Sequence, residues 1–330
     1  MTKQELRFLT AADVKKALTM SQAIEVMKQA FVFLSDKKAV IPQRIHLGIP
    51  EFKGDVLVMP IYLPEMERIG LKAINLFDDN PKKDLPLIHA LITVFDATNG
   101  KPIAIMDGSY LTALRTGAGS GVATSLLSRE DSQVAAIFGA GEQGRTQLEA
   151  ICTVRAIKKA LIFDKNEAKA KLFAKEMSNY LSIPVDVAAS KSDLREADIV
   201  CTATNSAEPV FSDSDLKPGV HINAIGSYKP HKREVPSETI QRAKVIVDHR
   251  ESCLTEAGDI LIPLKEGIIT ENHILGEIGE IISSKKQIRK RNEEITFFKS
   301  VGNAIQDLTA ANEVIKAANN LNIGQILRLE

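Results

Sequence analysis

A chain of 330 residues is long enough for two domains rather than one. Its 42 basic and 42 acidic side chains cancel, so net charge gives no reason to expect nucleic acid or an anionic membrane surface as a partner. Hydrophobic content of 44% and charged content of 25% are ordinary for a globular protein, while Cys152, Cys201 and Cys253 are too few and too scattered for a disulfide framework or a zinc site.

The start, Met1-Thr2-Lys3-Gln4-Glu5-Leu6-Arg7, has no apolar signal core, and the cytoplasm is the expected compartment. Thr10 with Asp13, and Thr19 with Gln22, are helix-start signatures in which a hydroxyl caps an amide and the side chain three later reaches back. Ile24, Met27, Phe31 and Leu34 then recur at helical spacing until Asp36-Lys37-Lys38 ends the run. Short strands are expected around 44–49, 55–62, 70–77 and 87–96, and Asn99-Gly100 is a hairpin turn from which 101–107 pairs back. This is an antiparallel α+β region. A helix of small residues follows over 109–127.

The stretch from Val134 to Asp164 carries the most specific pattern. An apolar run, Val134-Ala135-Ala136-Ile137-Phe138, leads into Gly139-Ala140-Gly141-Glu142-Gln143-Gly144, then a helix, then a second apolar run ending at Asp164. In such a βαβ unit Gly139 permits the tight turn, Gly141 lets the backbone approach a pyrophosphate, and Gly144 lets helix and strand pack closely. Amides at the helix start face the phosphates. Asp164 stands where an acid accepts from a ribose 2′-hydroxyl and repels a 2′-phosphate, which favours NAD over NADP. Alternation continues with a helix over 166–181, a strand at 185–188, a helix at 192–197, and strands at 199–204, 220–225 and 244–248. That order implies a parallel sheet covered on both faces. The basic run at 285–291 reads as a solvated loop, and a last helix is expected from about 303 to 319.

Four residues outside the glycine turn stand out. Lys72 and Arg115 each place a cation in an apolar or small-residue element, where it needs a partner. Arg44 follows Pro42-Gln43, and Tyr228 lies just past a strand's carboxyl end, where parallel sheets bind ligands.

These positions belong to a wider pattern. Pro42-Gln43-Arg44, Met59-Pro60, Gly70-Leu71-Lys72 with Asn75, Met106-Asp107, Leu114-Arg115-Thr116-Gly117-Ala118, Gly139-Ala140-Gly141-Glu142-Gln143, Asn223-Ala224-Ile225-Gly226, Ser300-Val301-Gly302 and Ala304-Ile305-Gln306-Asp307 together resemble the ornithine cyclodeaminase/mu-crystallin family. The resemblance runs in register over nearly the whole chain. It implies an α/β fold: a Rossmann-type doubly wound parallel sheet at 116–304 that binds NAD, and an α+β substrate-binding and dimerisation domain at 1–115, completed by the helix at about 305–330. A homodimer is implied.

Position by position, the resemblance gives Arg44 and Arg115 the substrate carboxylate, for which planar guanidinium forks suit better than ammonium. Lys72 becomes the proton carrier on nitrogen, its pKa lowered by the two arginines. The cofactor set is Gly139, Gly141, Glu142, Gln143, Gly144, Asp164, Thr116, Thr204, Ile225, Gly226, Ser227, Lys232 and Ser300, with no metal. One departure matters: where ornithine cyclodeaminase has an aspartate that engages the substrate amines, this chain has Tyr228, and a phenol is a poor base at neutral pH. Should cyclising activity nonetheless exist, Asp78, Asp79 and Glu234 are the acids to examine. The expected activity is therefore NAD-dependent redox chemistry at Cα of a small α-amino acid, or of the matching imino acid or cyclic ketimine. Ornithine cyclodeaminase, and a mu-crystallin-like binding protein without turnover, are the alternatives.

Overall fold

The computed structural model describes residues 5–329; residues 1–4, the head of the stretch read for a signal core, and residue 330, the last of the expected carboxyl-terminal helical region, lie outside the described residues. The chain divides into two compact units, Met1–Arg115 with Asn303–Glu330, and Thr116–Gly302.

The first unit opens with a strand, β1 (Glu5–Leu9), and two helices, α1 (Ala11–Ala17) and α2 (Met20–Ser35). Both helices start at complete capping boxes, Thr10 with Asp13 and Thr19 with Gln22. Antiparallel strands follow: β2 (Ile45–Ile49), β3 (Gly54–Leu63), β4 (Arg68–Phe77), β5 (Ile88–Asp96) and β6 (Pro102–Asp107). Gly100 takes a positive φ of 77° in the turn between the last two, as the Asn-Gly signal predicts. Helix α3 (Gly108–Leu127) then carries the chain onward.

The second unit contains β7 (Val134–Phe138), α4 (Glu142–Val154), β8 (Lys159–Phe163), α5 (Glu167–Leu181), β9 (Val185–Val187), β10 (Ile199–Thr202), β11 (His221–Ala224), α6 (Ser237–Arg242), β12 (Lys244–Val247), α7 (Arg250–Glu256), α8 (Gly258–Lys265), β13 (Ile274–Glu277), α9 (Ile278–Ser284) and β14 (Thr296–Lys299). Its sheet runs β13-β12-β14-β11-β10-β7-β8-β9, every pair parallel. Alternate residues of one strand enter different cores: Ala136 and Phe138 join one, Ala135 and Ile137 the other. Burial on both faces explains why these strands read as continuous apolar runs. This is the doubly wound Rossmann-type sheet. Strand order reverses between β7 and β10, the switch point outside whose carboxyl ends such sheets bind ligands.

Helix α10 (Ala304–Leu321) and strand β15 (Gln325–Arg328) return the chain to the first unit. There α10 packs on α2 and on the strands β3, β4 and β5. Gly70 on β4 lets it come close, since a Cβ there would lie 3.1 Å from Leu308 Cδ1. The sheet order is β15-β1-β6-β5-β4-β3-β2.

Several elements differ from expectation. The first sheet is not wholly antiparallel, because β1 pairs parallel with β6 and antiparallel with β15. Neither β1 nor β15 is legible locally, since each is defined by a partner far along the chain. Residues 191–196 form a 3₁₀ turn rather than an α-helix. The strand expected over 199–204 stops at Thr202, where Glu234 takes hydrogen bonds from the Thr204 amide and hydroxyl. Within the basic run, most residues are exposed, but Arg289 turns inward and donates to the Leu127 carbonyl and to Thr296 Oγ1. Among the described residues no helix is long and apolar enough to cross a membrane.

Candidate active site

In the second unit, the glycine turn lies between β7 and α4. Gly139 has φ +104°, and a Cβ on it would sit 2.5 Å from the Ala203 carbonyl. A Cβ on Gly144 would sit 2.1 Å from the Gly139 carbonyl, so helix and turn approach too closely for any side chain. At Gly141 a Cβ meets nothing within 4 Å, which leaves that side of the turn open. Gly141 is also the N-cap of α4, and no side chain caps the helix there, so its first amides are left for a ligand. Gln143 Oε1 is buried without a hydrogen-bond partner. Asp164 follows β8, half-buried; its Oδ2 accepts the Ala140 amide at 2.7 Å and its Oδ1 the Asn166 amide at 2.8 Å. These bonds fix the carboxylate beside the turn. A close-packed turn, uncapped amides and an anchored acid fit a dinucleotide: the α4 amides for the pyrophosphate, Asp164 for the adenosine ribose.

The loops beyond β10 and β11 are tied by one carboxylate. Glu234 accepts from Thr202 Oγ1, the Thr204 amide and hydroxyl, and the Ser227 amide. It is thus an internal strut. Its partner Asp259 accepts the Glu234 amide and pairs at 2.8 Å with fully buried Lys299. Ser227 Oγ donates to the Lys232 carbonyl, which leaves Ile225, Gly226, Tyr228 and the Lys232 side chain half-buried along this loop. Ser300 donates to Asp248 Oδ2 at 2.7 Å, and Val301 and Gly302 amides bind the same oxygen. Thr116 is half-buried on α3 and Glu142 exposed at the start of α4.

The first unit holds a separate, charged cluster. Lys72 sits mid-strand on β4, opposite Met59 of β3 and Ile92 of β5, and is 2% exposed. Met59, Ile61, Ile92 and Leu308 line the space around it with hydrocarbon. Its Nζ lies 2.6 Å from Asp307 Oδ2, a close ion contact without hydrogen-bond alignment. Arg115, on α3, donates from Nε to Asp307 Oδ1 at 2.9 Å and from Nη1 to Gln306 Oε1 at 2.9 Å. Gln306 is itself the capping-box residue of α10, receiving the Asn303 amide, so the helix start and the guanidinium are built together.

Burial pushes the Lys72 ammonium down to about 7; Asp307 pulls it back up, and Arg115 and Arg44 add to the fall. The direction is as expected, but the main cause is desolvation rather than the arginines. Burial alone would raise the Asp307 carboxyl, yet the charges of Arg115 and Lys72 outweigh it and hold the acid below the ordinary range. Asp307 is the site residue to which sequence reasoning gave no role. It stood in a family-like block without any local sign of what it would meet. Of the acids singled out instead, Asp79 pairs with Lys53 and Lys82, the Asp78 amide binds the Lys53 carbonyl, and Glu234 is committed to four donors within the second unit.

Comparison with known proteins places this pattern. Residues 4–321 match the model of the ornithine cyclodeaminase/mu-crystallin family. The chain belongs to that family. It is 37% identical over 319 residues to a Δ1-pyrroline-2-carboxylate reductase of Bacillus cereus, covering 96% of this chain and 98% of the relative. Among solved structures, the Thermococcus litoralis Δ1-pyrroline-2-carboxylate reductase in complex with NADH and L-proline superposes with a TM-score of 0.93 at 42% identity, covering 97% of this chain and 99% of that one. An archaeal alanine dehydrogenase dimer with bound NAD superposes with a TM-score of 0.91 at 34% identity, covering 99% and 100%.

Proposed function

We propose that this family member is an NAD-dependent reductase of a cyclic α-ketimine carboxylate, with Δ1-pyrroline-2-carboxylate as substrate and proline as product. At the level its relatives share, it is an oxidoreductase acting at Cα of a small amino or imino acid, with NAD(H) as cofactor. The observation that carries the reading is the buried cluster around Lys72: two buried cations, Lys72 and Arg115, share the one carboxylate of Asp307. Buried charge of one sign calls for a ligand of the other. A substrate carboxylate supplies it.

Arg115 has Nε and one Nη1 proton committed to Asp307 and Gln306, so its Nη2 edge is the part left for that carboxylate, with Arg44 as the second holder. Bound NADH supplies the hydride for Cα. Lys72 Nζ gives its proton to the imine nitrogen, and in the reverse direction takes one from the amine. A carrier balanced near neutrality does both. The apolar side chains of Met59, Ile61, Ile92 and Leu308 keep water from the ammonium.

The first unit also supports a homodimer. Strands with one solvent face normally alternate apolar and polar, yet here the outward positions are apolar too, with Ile45 61%, Leu47 58% and Leu91 53% exposed. Leu71 of β4 and Tyr62 of β3 extend the same face. A second copy of this sheet would cover it. Cytoplasmic placement fits the three free thiols.

The test is an NADH absorbance assay. Δ1-Pyrroline-2-carboxylate should be reduced with stoichiometric NADH loss. If pyruvate with ammonia is the better substrate, the alanine dehydrogenase reading replaces this one.

A further inference from the structure

We propose that Asp307 is a positioning residue for the reaction: it holds Lys72 Nζ and the Arg115 guanidinium in one fixed arrangement, so that carboxylate capture and proton transfer share a single geometry. The inference rests on the function proposed above. Each oxygen of the carboxylate serves one cation, Oδ2 facing Lys72 at 2.6 Å and Oδ1 taking Arg115 Nε at 2.9 Å. The three side chains come from β4, α3 and α10, so the carboxylate joins elements that no backbone ladder joins at this point. Asp307 lies in the first turn of α10, and the neighbouring Gln306 takes Arg115 Nη1, which fixes the plane of the guanidinium.

Stability does not account for this arrangement. Buried ion clusters are commonly no more stable than hydrocarbon of the same volume, and the surroundings here are already hydrocarbon. What the cluster provides is an ammonium that cannot rotate away and an arginine with one edge presented. The charged groups acting on Lys72 are Asp307 from α10, Arg115 from α3 and Arg44 from the segment before β2; Met59 and Ile92 on the flanking strands are uncharged. Asp307 is the one that favours the ammonium. Removing its charge makes Lys72 lose its proton at lower pH.

The experiment compares the intact protein with Asp307→Asn and Asp307→Glu. Ketimine reduction is followed across pH on both sides of neutrality, and isotope-labelled lysine side chains are titrated by NMR, which reads Lys72 whether or not substrate turns over. With Asp307→Asn, kcat/KM should fall by ~100-fold, with the reductive limb and the Lys72 titration both moved down by about one pH unit, and NADH affinity kept within ~threefold. With Asp307→Glu, charge is kept and place is not, so kcat should drop while the limb stays. Unmoved titration in Asp307→Asn, with only thermal stability lost, overturns the inference and leaves a structural ion pair. If Asp307→Asn does not fold, full activity in Asp307→Glu overturns it equally. Failure of the native protein to reduce any ketimine while the NMR shift appears would instead remove the proposed substrate and keep the role of Asp307 in holding Lys72.

Discussion

The binding sites proposed for the two units are built by opposite means. In the second, recognition is made of backbone: a positive φ at Gly139, no side chain at Gly144, and uncapped amides at the start of α4 beside a half-buried acid. In the first, it is made of charged side chains sunk into hydrocarbon, with Lys72 2%, Asp307 2% and Arg115 5% exposed. Backbone groups are preset by the fold and change little with pH or salt. Buried charges are tuned by what surrounds them, and here the tuning brings a lysine to about 7. A binding element can be rigid and general, while a proton carrier must sit near its own midpoint.

The largest way to break the contrast is at Arg115. Replacing it with Ala strands Asp307 with Lys72 alone and removes the fork, and kcat/KM should fall by ~1000-fold on the scale of a broken buried charge pair. Arg115→Lys keeps charge without the planar edge and should still lose ~100-fold. NADH affinity, a property of the second unit, should stay within a few-fold of native by fluorescence titration. If Arg115→Lys is fully active, bidentate capture is wrong even where the location stands.

Tyr228 tests whether the second unit contributes more than cofactor binding. Cyclising ornithine requires an uncharged δ-amine, and a carboxylate can take that proton where a neutral phenol cannot. Ornithine-to-proline conversion should therefore run at less than ~1% of ketimine reduction, a gap of about 2.7 kcal/mol or more. Rapid release of proline and ammonia from ornithine without net NADH would show that another group does this work. Asp307 is not a free candidate, because both its oxygens already face cations.

How much could be read from the sequence follows the same division. The dinucleotide turn is contiguous, since strand, glycines, helix and acid lie within 134–164, and each residue type has a geometric reason that holds locally. The capping boxes at Thr10 and Thr19 were legible for that reason too. The charged cluster is not contiguous: Arg115 and Asp307 are 192 positions apart. No periodicity links them: Lys72 and Arg115 stand out locally as cations in apolar or small-residue elements, but only resemblance to a family joins them with Arg44 in one site. Even so, the arginines are only part of the cause of the Lys72 shift; burial is the larger part, and it depends on Leu308 and Ile92 closing over the amine. Strands β1 and β15 escaped for the same physical reason, as long-range pairing leaves no local trace.

Protonation of Lys72 gives a test that separates the units in one protein. Reduction needs the ammonium, so its kcat/KM should fall above about pH 7, approaching ~tenfold per unit. Proline oxidation needs the free amine and should rise across the same range. For stability the sign is also fixed: the unfolded chain keeps this proton up to the ordinary value of 10.5, while the folded chain releases it near 7. The unfolded state binds more protons in between, so this group's contribution to stability improves as pH rises through that window. NADH binding should show no matching limb. Identical pH limbs in both reaction directions would rule Lys72 out as the carrier.

The smallest expected effect is the choice between NAD and NADP, and it tests whether the second unit's acid is as fixed as its backbone. A surface carboxylate could swing away from a 2′-phosphate, but Asp164 cannot do so cheaply. Both its oxygens are tied, one to the Ala140 amide within the glycine turn and one to the Asn166 amide that begins the next helix. Moving it would leave those two donors unmet, at about 1 kcal/mol or more each. A 2′-phosphate must therefore sit beside the charge, so NADH should bind at least ~tenfold more tightly than NADPH, a difference of about 1.4 kcal/mol. Exposed Lys165 follows directly and moderates the repulsion, which is why the expected ratio is modest. Asp164→Asn should bring the two nucleotides to within ~threefold by removing repulsion from NADPH more than it weakens NADH. Fluorescence titration decides it, and equal or tighter NADPH binding by the native protein would falsify this role for Asp164.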